Sequence, residues 1–292
     1  MQRVTGLLLG MCVLLGGVGI TTAQEMSGGV VPPPKVLVIQ REFVKPGKAG
    51  MVHEKAESAF VQAMAKAKWP SHYLAVTSLS GRSRVLFLTP YDSFEAWEKD
   101  AKAVEKNAAL SAALDHAYLA DGELLSDADQ TVATYSEEFS LRPNVDIAHM
   151  RYFEVSLFHV KPGHRKDWAE IVKMVKAAYE KIPDAHWATY EEAYGQFEGT
   201  TYLVFSALKS ASEIDHSFTE EKDFLAAMGE DGMKRLSELE SEGMGPSQTN
   251  LFAFSPSMSY APEDWVKADP EFWKAKMPMA AAAKKPMEKP AQ

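Results

Sequence analysis

The 292 residues carry 31 Lys and Arg against 40 Asp and Glu, a formal charge of −9, and 46% of them are hydrophobic. That acidic balance argues against nucleic acid or an anionic membrane as a partner, because both select for basic surfaces. The one cysteine, Cys12, falls in the first two dozen residues. Without them the chain has no thiolate nucleophile, no Cys-ligated zinc and no iron–sulfur cluster.

Those first residues read as an export signal. Arg3 makes a positive start, Leu7 to Ile20 is an unbroken run of apolar residues and glycine, and Thr21-Thr22-Ala23 supplies small residues before Gln24. The run has 14 residues, whereas a membrane-spanning helix needs about 20. Cleavage before Gln24 is therefore expected, giving an exported chain, periplasmic or secreted, with no membrane association afterwards. Cys12 sits in mid-run after the bulky Met11, which does not suit a lipoprotein site. Pro32-Pro33-Pro34 then reads as an extended lead-in over 24–35.

Beyond it the chain repeats itself. Val44-Lys45-Pro46-Gly47 recurs as Val160-Lys161-Pro162-Gly163, 116 residues later, each after an apolar run. Arg84 to Leu88 matches Thr201 to Phe205 at 117, and Gln130-Thr131 matches Gln248-Thr249 at 118. Ordered matches at a nearly constant offset point to duplication. Each copy reads strand, helix, strand, strand, helix, strand. The Lys-Pro-Gly corner leads into a first helix, with Val52, Ala56, Phe60, Ala63 and Met64 as its apolar stripe in one copy. In the other the stripe is Trp168, Ile171, Val172, Val175, Tyr179 and Ile182. The second helices start near Ser93, with Phe94, Trp97, Ala101, Val104 and Ala108 on one face, and near Ser210. The closing strands fall at Thr131 to Ser136 and Asn250 to Phe254.

A βαββαβ order implies an α+β fold of two tandem ferredoxin-like units, each with both helices on one sheet face. The other faces must be covered, and two copies can cover each other by packing sheet to sheet. The halves are set at 36–140 and 151–262, with 141–150 as connector. A C-terminal segment follows over 263–292, disordered from about 277 because Ala, Lys and Pro dominate it. Trp265, Phe272 and Trp273 are expected to pack back on the body.

The Lys-Pro-Gly openings and the segment Thr89 to Trp97 resemble the dimeric α+β barrel superfamily, which includes antibiotic-biosynthesis monooxygenase-type and NIPSNAP-like domains. The resemblance covers nearly all of the chain after the signal. It implies an intramolecular barrel enclosing a cavity between its sheets, and says little of the reaction. One haem-degrading subgroup pairs a Trp on the second helix with a His ten residues on and an Asn on the first strand. Trp97 matches, but Asn107 stands where the His belongs and Val36 to Phe43 has no Asn. Haem degradation is not expected, and Trp97 reads as core.

No nucleophile elbow, phosphate loop, dinucleotide fingerprint or zinc-binding His-Glu pattern is present, so no cofactor and no metal are expected. Attention falls on polar residues of the strands. Phe153, Val155 and Leu157 alternate with Tyr152, Glu154, Ser156 and Phe158, and the apolar set is assigned to the helix side. Glu154, Ser156 and Phe158, with Gln40 and Glu42 in the first copy, should then face the barrel interior as ligand-binding groups. The competing reading, carboxylates at strand ends reaching water, fits most such residues.

A matched pair is sharper. His72-Tyr73 and His186-Trp187 open the second strand of each copy. His72 and His186 are the candidate general bases, with Tyr73 and Trp187 as apolar walls. A ring hydrogen-bonded to backbone is the alternative. His53, His116, His149, His164 and His216 have no such match and read as surface. The function expected is binding of a small apolar or aromatic organic molecule, with cofactor-independent oxidation as its enzymatic form. The alternative is a non-enzymatic stress-related or interaction protein whose barrel is filled with side chains.

Overall fold

The computed structural model describes residues 29–195 and 199–274. The expected export signal, the start of the expected lead-in and the Ala/Lys/Pro tail lie outside the described residues.

Two stretches of chain trace the same path. In the first, β1 (Val36–Val44), α1 (Met51–Ala67), β2 (Leu74–Ser78) and β3 (Arg84–Tyr91) are followed by α2 (Phe94–Lys106), α3 (Ala108–Gly122) and β4 (Leu125–Leu141). In the second, β5 (Tyr152–Val160), α4 (Arg165–Tyr179), β6 (Trp187–Tyr194), β7 (Thr200–Leu208), α5 (Ser212–Gly243) and β8 (Met244–Phe254) follow in turn. Short helices α6 (Glu263–Ala268) and α7 (Pro270–Trp273) end the described chain. The strands close into one barrel in the order β1-β3-β2-β8-β5-β7-β6-β4, and every pairing is antiparallel. Within each stretch the order is fourth-first-third-second strand, so the seams between stretches are β2 with β8 and β4 with β6. Among the described residues no helix is long and apolar enough to cross a membrane.

The repeated Lys-Pro-Gly corner has one job in both places. Gly47 and Gly163 adopt φ of +77° and +88°, a conformation that side chains oppose. Lys45 Nζ donates to the Glu123 carbonyl just past α3, at 2.9 Å, and Lys161 Nζ donates to the Ser241 and Glu242 carbonyls ending α5, at 3.0 and 2.9 Å. A cation thus sits on the negative end of a helix dipole in each half.

Three expectations need correction. The apolar set Leu37, Ile39, Phe153 and Val155 points into the barrel, where it joins buried side chains from all eight strands. Gln40, Glu42, Glu154, Ser156 and Phe158 take the opposite face, under the helices. The reason is size: an eight-stranded barrel is just wide enough for its own side chains to fill, so the interior takes the most uniformly apolar positions and encloses a packed core. Second, the helix expected from Ser93 breaks. Asn107 Oδ1 accepts from Leu110 N at 3.1 Å and caps a new helix, α3. It is α3 that packs on α1, through Leu110, Leu114 and Ala117 against Phe60 and Trp69, while α2 buries no residue. The closing strands also run longer than expected.

The C-terminal aromatics do pack back. Trp273 is buried against the barrel core, its indole donates to the Ala148 carbonyl at 2.8 Å, and Trp265 and Phe272 lie on it.

Candidate functional site

In the second half a cavity of about 40 Å³ opens between the sheet and helices α4 and α5. By volume that is room for two or three waters. Its floor is Glu154, Ser156 and Phe158 of β5, its walls include Trp168 and Val172 of α4 and Trp187 of β6, and Glu240 of α5 closes it. The α4 stripe is buried as its spacing predicts, which brings Trp168 to the cavity.

The polar groups at this cavity differ in how far they are satisfied. Ser156 Oγ and Thr249 Oγ1 pair at 2.8 Å, and Trp187 Nε1 donates to the Phe139 carbonyl at 2.8 Å. Trp168 Nε1 is buried and has no acceptor among the described residues. Burial pushes the Glu154 carboxyl up to about 8 and that of Glu240 up to about 7. A carboxyl in that range holds or releases its proton near neutral pH, as a general acid or base requires.

The first half has a polar group in the equivalent place; Glu42 is the counterpart of Phe158, at the same position of β1 and β5. Glu42, His53 and Glu57 of α1, and Asp121 of α3 are each no more than 2% exposed. Three carboxylate oxygens face His53 Nε2: Asp121 Oδ1 at 3.2 Å, Glu42 Oε2 at 3.3 Å and Glu57 Oε1 at 3.7 Å. One N–H serves one acceptor, here Glu42. Glu57 Oε1 and Asp121 Oδ1 are left without a hydrogen-bond partner among the described residues, as is the buried Tyr73 hydroxyl. Gln40 Nε2 donates to Glu42 Oε1 at 2.6 Å. Burial opposes charge on His53, but the facing Asp121 and Glu42 carboxylates outweigh it and push the imidazole up to about 10. Burial, reinforced by the Glu42 and Asp121 charges, pushes Glu57 up to about 9, and burial likewise raises Glu42 and the Tyr73 phenol.

The sequence candidates therefore divide between these places. Glu154, Ser156, Phe158 and Trp187 meet at the cavity. Gln40 and Glu42 meet at the acidic cluster, and the Glu57 and Glu42 charges act on Tyr73. The histidine pair joins neither. His72 stacks on Tyr260 at 4.5 Å and its Nδ1 faces the Tyr260 carbonyl at 3.1 Å. His186 has the Asp184 carbonyl 2.9 Å from Nδ1 and the Ala207 carbonyl 3.0 Å from Nε2. Both rings are held by backbone away from the cavity, so their expected role as bases is withdrawn. His53, expected on the surface, is among the most buried side chains. The signal was there: His53, Glu57, Phe60 and Met64 recur at helical spacing, and that stripe, rather than the one through Val52, faces inward. Asp121 and Glu240 carried no comparable mark.

No protein-family model matches the sequence, and no match to a curated protein is found. The solved structures it resembles include a candidate monooxygenase from Fusobacterium nucleatum, at 13% identity over 77% of this chain and 94% of that one, with a TM-score of 0.47. An anthrone oxidase-like protein is 12% identical over 79% of this chain and 94% of that one, with a TM-score of 0.47. A mutant chlorite dismutase from Candidatus Nitrospira defluvii is 9% identical over 81% of this chain and 97% of that one, with a TM-score of 0.46.

Proposed function

We propose that this is an exported small-molecule-binding protein, built by duplication of a ferredoxin-like unit, whose ligand enters the cavity under α4 and α5. The observation that carries the ligand reading is Glu154 and Glu240 lining an otherwise mainly apolar cavity beside the Trp168 indole N–H, which has no acceptor among the described residues. Apolar walls with a few placed polar groups are the usual make-up of such sites. The ligand chemistry that fits is a small apolar or aromatic molecule with one hydroxyl or carbonyl group. Trp168 donates to its oxygen, and a carboxyl near 7 to 8 accepts or returns its proton. At about 40 Å³ the cavity is smaller than a benzene-sized site. Entry therefore requires α5 to move, and its bend at Gly229, where φ is +72°, is the place for it. Duplication is supported by the common strand order and the shared Lys-Pro-Gly geometry. Export is supported by the Arg3, Leu7 to Ile20 and Thr21-Thr22-Ala23 pattern.

The test is titration of the protein with a panel of phenols and short alcohols, following tryptophan fluorescence. Saturable quenching that Glu154→Gln weakens supports the reading, and identical curves for wild type and variant sink it. The filled barrel favours a second reading, a non-enzymatic interaction protein, which predicts no saturable response to any of the panel.

A further inference from the structure

The acidic cluster of the first half plays no part in the cavity and asks for its own explanation. It brings three carboxyls and one imidazole together in a nearly dry place. One imidazole faces three carboxyls, so the protein supplies a single cationic partner and the remaining carboxyls must keep a proton or take up a cation from outside. Buried charge without a counter-ion costs several kcal/mol per group. Glu57 Oε1 and Asp121 Oδ1, in side chains 2% and 1% exposed, also face His53 Nε2, yet neither has a hydrogen-bond partner among the described residues.

The spacing is that of a coordination sphere. Donors held about 2.0 to 2.2 Å from one ion stand roughly 3 to 4.2 Å apart. The carboxylate oxygens here lie 3.2, 3.3 and 3.7 Å from His53 Nε2, and all four donor atoms fit within 4.8 Å. Gln40 already holds the other oxygen of Glu42, the kind of outer contact that orients a metal-binding carboxylate. One nitrogen and three oxygens are too few and too mixed for Ca²⁺, which takes six to eight oxygens. They suit Zn²⁺, Mn²⁺ or Fe²⁺.

We propose that Glu42, His53, Glu57 and Asp121 bind one divalent first-row transition ion, through His53 Nε2 and an oxygen from each carboxylate. The ion takes the place of protons on the carboxyls and ties β1, α1 and α3 together. Because the donors are closed off from solvent, loading is coupled to folding or to local opening.

The test uses the full exported chain, stripped by chelation in denaturant and refolded with Zn²⁺ or Mn²⁺ alone, or with Ca²⁺ as control. Expected are one equivalent of Zn²⁺ or Mn²⁺ per chain by elemental analysis, a Tm several degrees above the metal-free protein, and no effect of Ca²⁺. In Glu57→Gln and Asp121→Asn the metal-dependent rise should vanish. The metal-free Glu57→Gln chain should be at least as stable as metal-free wild type, since Gln keeps the uncharged form that burial favours for Glu57. Should a variant fail to fold, Co²⁺ refolded into wild type decides. Four- or five-coordinate visible bands with shifted proton signals from one imidazole support the site. No uptake, uptake unchanged in folded variants, equal binding of Ca²⁺, or a hexa-aqua Co²⁺ spectrum overturns it.

Discussion

Trp168 lies flat on Tyr202, ring centroids 4.6 Å apart and planes 12° from parallel, while its own indole N–H reaches no acceptor among the described residues. A stacked ring is held firmly, so this donor is fixed at the cavity before any ligand arrives. Trp168→Phe keeps most of the packing and removes the N–H. Because an unpaired buried donor is itself unfavourable, stability should hold to within about 1 kcal/mol. Binding of a hydroxyl- or carbonyl-bearing ligand should weaken by roughly 3- to 10-fold, the worth of one hydrogen bond. Urea denaturation and the fluorescence titration, now read through Trp187, measure the two separately. Weakened stability with unchanged binding would mean the indole is only structural.

Glu154 makes stability depend on pH. Its carboxyl is raised from an ordinary 4.5 to about 8 by burial, so the folded state holds a proton that the unfolded chain releases earlier. The stabilisation is complete below about 4.5 and is lost as pH rises towards about 8. At ~1.4 kcal/mol per pH unit the upper bound is ~5 kcal/mol. Glu154→Gln mimics the protonated form and should flatten the fall in Tm between those limits. Parallel Tm curves for wild type and variant would show that Glu154 is solvated. Glu240, raised to about 7, should add a smaller effect of the same sign.

The Lys-Pro-Gly corners offer a test of the equivalence between the two halves. Lys45→Met and Lys161→Met each remove a cation from helix-terminal carbonyls while keeping the stem. Each should cost about 0.3 to 1 kcal/mol, fading in high salt. The sites are in different halves, so the double variant should show the sum.

Much of the architecture was legible because its signals are local. The repeated corner, the α4 stripe and the order of strands all follow from short-range pattern. What the sequence left open was which sheet face each strand residue takes. Alternation separates Phe153 from Glu154 but does not say which set points to the helices, and in a closed barrel both faces are buried. Glu42 and Glu154 stand out in the sequence as polar residues on strands, but assigning the apolar set to the helix side puts them in the barrel interior, opposite to where they lie. The matched histidines misled for a different cause. Matched position in the two halves says nothing of chemistry, whereas His53, unmatched, owes its burial to partners on β1 and α3 far away in sequence. Asp121 could not be foreseen without knowing that Asn107 starts a new helix.

For the export signal, the intact mass of protein recovered outside the cytoplasm should correspond to a chain starting at Gln24, within a few residues. A membrane-bound species retaining Leu7 to Ile20 would contradict it. Blocking cleavage by Ala23→Tyr, which puts a bulky residue where a small one is read, should leave the precursor uncut.

The last prediction concerns the end of the barrel. Its filled interior has to be closed where strands stop, and the C-terminal aromatics do this. Trp273 is 4% exposed and packs on Phe254 from the barrel core at 6.3 Å, with Trp265 at 5.1 Å and Phe272 at 5.0 Å against its other sides. The segment is pinned from the connector between β4 and β5. Arg151 pairs with Asp269 and lies over the Phe272 ring at 3.9 Å, and Trp273 donates to Ala148. Trp273→Ala removes the largest of these groups and should cost about 3 to 5 kcal/mol, as for other buried tryptophans. Arg151→Met should cost less, since its charge is partly exposed and only the hold on the segment is loosened. If the segment is a true lid on the core, the two effects will be less than additive, because Arg151 acts on stability through the placement of Trp273. Full additivity in urea denaturation would mean that the aromatics and the ion pair contribute independently, and that the barrel end stays closed without the anchor.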